Sequence, residues 1–198
     1  MKLAQKLEFM SINQTISEKT AWQAKWIGNR YPDILMSDWM RDVLPAPFFR
    51  KVFDYDGKGK DAQVYICGLG YYELYINGRK VGENVLDPVV TVYDRRVRYI
   101  IHDVAEYLIP GKNIIGVILG NGWYNCHTAE TWHFDKASWR DYPKLLLQLE
   151  IDDNVRLCSD ETWRVTNGPI VFDGLRNGET YDARLELNGW LEPDYASQ

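Results

Sequence analysis

Short apolar runs, each cut off by Gly, Asn, Asp or Pro, recur along most of the chain. The first, residues 48–53, follows Pro45-Ala46-Pro47 and ends in the polar stretch 54–60. Residues 62–67 come next and run through Gly68-Leu69-Gly70 into residues 72–76. Asn77-Gly78 closes that run. Both positions tolerate positive φ, so the pair predicts a two-residue hairpin with a return strand over 79–82. Further strands are expected over 97–101, 113–119, 145–151, 154–157, 162–165 and 170–172. β-Branched and aromatic residues fill these runs and turn formers separate them. Many short strands at this spacing predict an all-β chain folded as an antiparallel β-sandwich. Helical signals are few. Residues 103–109, capped by Asp103 and ended by Pro110-Gly111, predict one or two helical turns. Residues 1–20 form an N-terminal extension whose pattern fits a helix or a frayed end equally, and the sandwich is expected over 21–198.

Composition narrows the class. The chain is 45% hydrophobic and 14% aromatic, which excludes disorder for most of its length. Its 198 residues suffice for one core and are few for two domains with linkers. A net charge of −5 argues against nucleic acid, whose binding needs a basic patch that releases counterions. No window offers the roughly 18 uncharged apolar residues of a membrane span. The segment Met1-Lys2-Leu3-Ala4-Gln5-Lys6 carries charge where a signal peptide is apolar. Cys67, Cys126 and Cys158 are odd in number, widely spaced and without a CxxC pair, as expected of reduced thiols in the cytoplasm.

The candidate chemistry is concentrated near the C-terminus. Arg176-Asn177-Gly178-Glu179-Thr180-Tyr181-Asp182-Ala183-Arg184, followed by Asn188-Gly189-Trp190, is too polar for a core strand and too rich in specific side chains for a linker. Hydrogen-bonding groups beside aromatic faces suit a sugar, which has hydroxyls at its rim and C–H groups on its faces. Acid–base chemistry by two carboxyl groups needs both in one shared site. Glu179 and Asp182 are spaced so that an extended backbone sends them to opposite faces. They either bind nearby backbone N–H groups and the two arginines or join a pocket completed elsewhere. Gly120-Asn121-Gly122-Trp123-Tyr124-Asn125 could present Trp123 at a loop apex or plug one end of the sandwich.

Residues 126–142, with His127, Trp132, His133, Phe134, Trp139 and Arg140, make a long connection of the kind that is often functional. It either covers a neighbouring domain or meets sugar. No metal site is expected, because His127 and His133 lack a third ligand at a recognisable spacing. Asp152-Asp153-Asn154 clusters oxygens but is spaced like a hairpin tip. There is no GxSxG, P-loop or HExxH motif, and Gly68-Leu69-Gly70 is a turn rather than a dinucleotide site.

Tyr72-Glu73-Leu74-Tyr75-Ile76-Asn77-Gly78-Arg79-Lys80-Val81-Gly82, the 103–113 segment, Leu119-Gly120-Asn121-Gly122-Trp123-Tyr124-Asn125 and Gly178-Glu179-Thr180-Tyr181-Asp182-Ala183-Arg184 occur in an order that resembles the N-terminal domain of bacterial α-L-rhamnosidases, glycoside hydrolase family 78. Trp26-Ile27-Gly28 and Phe48-Phe49-Arg50-Lys51 suit the same likeness, which extends over roughly residues 26–190. The resemblance implies a jelly-roll, galactose-binding-like sandwich. It also implies that hydrolysis belongs to a downstream (α/α)6 barrel, in which acidic residues act by an inverting mechanism. No catalytic residue is carried over to this sequence, which has no room for that barrel, and no cofactor is expected. The expected role is a non-catalytic module that supports the barrel and contributes to its pocket rim, with a rhamnoside-type carbohydrate as ligand. Asn121, Trp123, Tyr124, Trp132, Glu179, Tyr181, Asp182 and Arg184 are the candidates for a substrate or domain-interface surface. The alternatives are an autonomous carbohydrate-binding module and a purely structural docking domain.

Overall fold

The Asn77-Gly78 turn forms as its composition predicts, with φ of 50° and 79°, and it returns the chain in register: Ile76 pairs with Arg79 and Leu74 with Val81. Asp152 and Asp153, at φ of 49° and 60°, make the matching tip of a second hairpin. There Asp152 Oδ1 accepts the backbone N–H groups of Lys60 and Asp61, which ties the hairpin tip to residues 60–61. The structure, a computed structural model, describes residues 8–11, 21–29, 44–127 and 132–195.

Thirteen strands are present among the described residues: β1 (Glu8–Ser11), β2 (Ile27–Gly28), β3 (Pro47–Tyr55), β4 (Ala62–Leu69), β5 (Tyr71–Ile76), β6 (Arg79–Val81), β7 (Arg96–Asp103), β8 (Gly111–Gly120), β9 (Lys144–Ile151), β10 (Asn154–Cys158), β11 (Arg164–Asn167), β12 (Ile170–Gly174) and β13 (Gly178–Tyr181). One sheet has the order β1-β7-β4-β9-β10, with β2 added to β9 beyond the end of β10. The second has the order β11-β3-β8-β5-β6, and β12 pairs with β13 in a separate two-stranded ribbon. All pairings are antiparallel except β1 on β7. The fold is thus the expected antiparallel β-sandwich. Of the helix expected over 103–109, a single 3-10 turn remains at Ala105–Tyr107, and Asp103 Oδ1 accepts the Ala105 N–H at 3.1 Å. Within residues 1–20 only β1 is described, and it is a strand.

Period-two alternation sorts the side chains. Val64, Ile66, Ile100, Leu145, Leu147 and Leu149 from the first sheet meet Phe49, Leu74, Ile76, Ile115, Val117 and Leu119 from the second, each at most 2% exposed. Each such side chain contributes about 1.5–3 kcal/mol through burial. The first sheet is also covered on its outer face. Tyr65, Cys67, Leu69, Val97, Tyr99 and Leu146 point there into a second cluster with Tyr93 and Tyr124, against which Trp22, Trp26, Trp123 and Trp139 pack. Burial on both faces explains why β4 and β9 read as nearly unbroken apolar runs. Gln148, fully buried on this face, accepts the backbone N–H groups of Gln23 at 2.8 Å and Ala24 at 3.3 Å, and so fastens the incoming chain.

The outer face of the second sheet is covered differently. Residues 187–195 lie across it, held by Arg50, whose guanidinium donates to the carbonyls of Trp190 at 2.7 Å and Glu192 at 2.6 Å. Gly116 permits this approach: a Cβ there would stand 2.7 Å from the Trp190 ring and closer still to Leu191. The β12–β13 ribbon sits beyond the same face.

Candidate functional site

The loop after β8 and the C-terminal run, both singled out by sequence, are joined by one carboxylate. Asp173 on β12 accepts the Asn121 backbone N–H at 2.7 Å through Oδ1 and the Asn121 side-chain amide at 2.8 Å through Oδ2. Asn121 is itself buried, and its Oδ1 accepts the Asn125 amide at 2.7 Å, so the loop is pinned from both sides. Asp173 pairs directly with Glu179 on β13. Burial, with the neighbouring Glu179 charge adding to it, pushes the Asp173 carboxyl above the usual aspartate range, while the Asn121 hydrogen bonds oppose the rise.

A groove of about 520 Å³ opens between this ribbon and the ends of β5 and β8. Tyr71, Leu86, Ile118, Leu175, Asp173 and Glu179 contribute to its walls, together with Glu73. Two of its three carboxylates are already engaged: Glu73 accepts the Tyr75 hydroxyl at 2.7 Å and pairs with Lys80, and Asp173 holds Asn121. The Glu179 carboxylate makes no hydrogen bond or ion pair among the described residues. The groove therefore offers one free acceptor beside an aromatic ring and an apolar wall. That arrangement can take the hydroxyl hydrogens of a ligand.

The other candidates divide by position. Trp123 is half-buried and packs edge-on against Trp132 and Phe134, at ring separations of 5.7 and 5.3 Å. Trp132 is 60% exposed, and the Arg176 guanidinium at the ribbon turn lies 5.5 Å over its ring. Tyr124 is 2% exposed inside the outer cluster, edge-on to Tyr93. Tyr181, Asp182 and Arg184 lie at the far end of the ribbon, engaged locally. The Tyr181 hydroxyl donates to Glu186 at 3.0 Å, and Asp182 takes both the side chain and the backbone N–H of Arg184 while capping the 3-10 turn Ala183–Leu185. Asp182 and Glu179 share no partner in the described structure.

The long connection is held from within. Buried Arg140 donates to the Asp135 carbonyl at 2.8 Å, and its other nitrogens lie near Asn125 and His127. Burial, aided by the Arg140 charge, pushes the His127 pKa down to about 4, so its ring is neutral near pH 7. Among the described residues no group of three or more His, Cys, Asp or Glu is arranged to hold a metal ion. No helix among them is long and apolar enough to cross a membrane. Asp173, Tyr71 and Leu86 are not among the residues that the sequence marks as candidates. Gly174 and Gly178 flank the turn and hinted at the ribbon, but Tyr71 and Leu86 reach the groove only through the fold.

Residues 57–198 match the family model described as the alpha-L-rhamnosidase N-terminal domain. The chain is 43% identical over 162 residues to an alpha-L-rhamnosidase of Formosa agariphila, covering 78% of this chain and 17% of that protein. An alpha-L-rhamnosidase of Streptomyces avermitilis is 38% identical over 138 residues, covering 68% of this chain and 13% of the relative. The solved alpha-L-rhamnosidase of Dictyoglumus thermophilum superposes with a TM-score of 0.72 at 43% identity, covering 88% of this chain and 20% of that one. The enzyme from Aspergillus terreus gives 0.75 at 32% identity, with the same two coverages. The chain thus spans about a fifth or less of the relatives it matches. By the extent of the family match and the shared sandwich, this chain belongs to the family of α-L-rhamnosidase N-terminal domains.

Proposed function

We propose that residues 21–198 act as a non-catalytic β-sandwich accessory domain of an α-L-rhamnosidase-like glycoside hydrolase, packing against its catalytic barrel and contributing to the rim of its pocket. The observation that carries this reading is the groove between the ribbon and the second sheet, bordered by large apolar side chains left in water. Val85 is 62%, Leu86 54% and Leu175 37% exposed, with Trp132 close to the ribbon turn. Grouped apolar exposure of this kind marks an interaction surface. The relatives, named as α-L-rhamnosidases, are several times longer, which supports a further domain as the partner. The three cysteines form no disulfide, and Cys67 and Cys126 are buried, which fits a cytoplasmic placement.

The test compares the isolated chain with a protein that also carries the barrel. The isolated chain should release no rhamnose from an aryl α-L-rhamnoside. In the longer protein, Leu86→Asp and Glu179→Gln should raise KM or loosen the domain contact. Turnover by the isolated chain that disappears with Glu179→Gln or Asp182→Asn would overturn the reading.

A second reading, an autonomous carbohydrate-binding module, is favoured by the free Glu179 carboxylate beside Tyr71 and Leu86. It predicts calorimetric binding of L-rhamnose by the isolated chain, weakened by Glu179→Gln and by Trp132→Ala. Absence of binding would leave the docking role alone.

A further inference from the structure

A second groove, of about 370 Å³, lies at the β11 edge of the second sheet and is lined by Phe48, Arg50, Arg164, Thr166, Trp190 and Tyr195 with neighbouring apolar side chains. We propose that it binds an oxyanion, a carboxylate or a sulfate carried by a small ligand, held between the Arg50 and Arg164 guanidiniums with the body of the ligand against Trp190 and Tyr195.

The strand register carries the argument. Arg164 on β11 pairs directly with Arg50 on β3, so two cations stand opposite each other on one face of the ladder. Like charges in that position destabilise a sheet, where most cross-strand pairs stabilise it. Arg50 is also only 9% exposed. A buried guanidinium is ordinarily matched by a carboxylate, because its desolvation is costly without one. Here its partners are the neutral carbonyls of Trp190, Glu192 and Pro193, the last at 3.4 Å. Among the described residues neither Arg50 nor Arg164 forms an ion pair. Burial, with the Arg164 charge next in weight, pushes Arg50 below the usual arginine range, whereas Tyr195 acts the other way.

The remaining lining fits the same ligand. The Trp190 and Glu192 carbonyls take the Nε and one Nη2 donor of Arg50 and hold its guanidinium in place, so the oxygens of the ligand meet its remaining N–H donors together with the Arg164 fork, which suits planar or tetrahedral oxyanions. Trp190 packs edge-on against Phe48 at 5.1 Å, and the Arg50 guanidinium lies 5.8 Å from the Tyr195 ring centre. The groove thus has aromatic walls for an apolar ligand face and a positive floor, in a chain whose net charge is −5. A negatively charged protein gains nothing from general anion attraction, so this pairing is local in origin.

Sodium glucuronate and sodium sulfate serve as probes, with glucose as the neutral control. Each is titrated into the 198-residue chain at low ionic strength while the Trp190 indole N–H is followed by NMR. The expected result is a saturating shift with glucuronate and none with glucose. A parallel response to sulfate identifies a general oxyanion site, and its absence identifies a carboxylate site. Arg164→Gln should weaken binding about tenfold or more, as expected for a lost charge-assisted hydrogen bond. Arg164→Glu supplies the missing charge opposite Arg50, so it should abolish binding and raise Tm. Arg156→Gln, on β10 in the other sheet, should bind as the unaltered chain does. Failure of both anions to perturb Trp190, or an unchanged affinity in Arg164→Gln, would overturn the proposal.

Discussion

The two outer faces of the sandwich are finished in opposite ways. The β4–β7–β9 face is sealed: loop aromatics fill it, and Gln148 and Arg140 anchor the covering segments by hydrogen bonds. The β3–β8–β5 face is only bridged, by a tail and a ribbon that leave one groove lined by acids and another lined by arginines. Side chains on the sealed face are spent on stability. On the bridged face Glu179 and Arg164 carry charge with no ion pair among the described residues, and Val85 and Leu86 stay exposed. A face with unused polar and apolar groups is where a partner or ligand contributes, so the two proposals above both fall on the bridged side.

The largest effect expected from this contrast is at Leu146, which is 2% exposed on the sealed face. Leu146→Ala should cost about 2–5 kcal/mol by urea unfolding. Leu86→Ser, on the acid-lined groove, should leave the midpoint nearly unmoved, since surface changes stay within about 0.5 kcal/mol. Equal losses at the two sites would erase the distinction. Next in size is Gly116→Ala, which pushes a methyl group into Trp190 and Leu191. It should cost about 1–3 kcal/mol and expose residues 187–195 to limited proteolysis.

The pH dependence sharpens the comparison further, because each face carries a titrating group with the opposite sign. His127, beside the sealed face, has its pKa lowered from 6.5 to about 4. Between those values the unfolded chain binds more protons, so this contribution is present above pH 6.5 and is lost as pH falls toward 4. Asp173, beside the acid-lined groove, has its pKa raised above 3.8. The folded chain then holds the proton longer, so its contribution falls as pH rises from about 3.8 through the folded value. His127→Gln should therefore flatten the rise in stability between pH 4 and 6.5, and Asp173→Asn should remove the opposing fall. Matching slopes in the two variants would contradict the assignment. The smallest effect belongs to Asp182→Ala, whose carboxylate serves only the exposed Arg184 and its own turn. No shift in Tm is expected by differential scanning fluorimetry.

Much of the sandwich was legible because its signals are local. Asn77-Gly78 and the alternation of 72–76 fix a hairpin without reference to anything distant, and the expected strands from 48 to 172 form, the one expected over 162–165 being displaced to Arg164–Asn167. β13 escaped because Gly178-Glu179-Thr180-Tyr181 is exposed and opens on a turn former, whereas β11, equally exposed, carries β-branched Val165 and Thr166; the ladder with β12 holds β13 instead. β1 escaped for another reason: a parallel edge pairing depends on a partner far along the chain. The same non-locality hid the sites. Glu179 stands out in the sequence, yet Tyr71 and Leu86 join it only when β5 and the ribbon meet. Arg50 and Arg164 each sit in a segment expected to be a strand, but their opposition exists only in the register of β3 with β11.

The β12–β13 ribbon belongs to neither large sheet and closes its own ladder, while Asp173 ties it to the loop after β8. One wall of the acid-lined groove can consequently vary without disturbing the layers beneath. Residues inserted at the turn between Gly174 and Gly178 would deepen the groove while the pairings of β3, β5 and β8 stay as they are. Changes within a short hairpin can thus reshape that groove while the core beneath it stays the same.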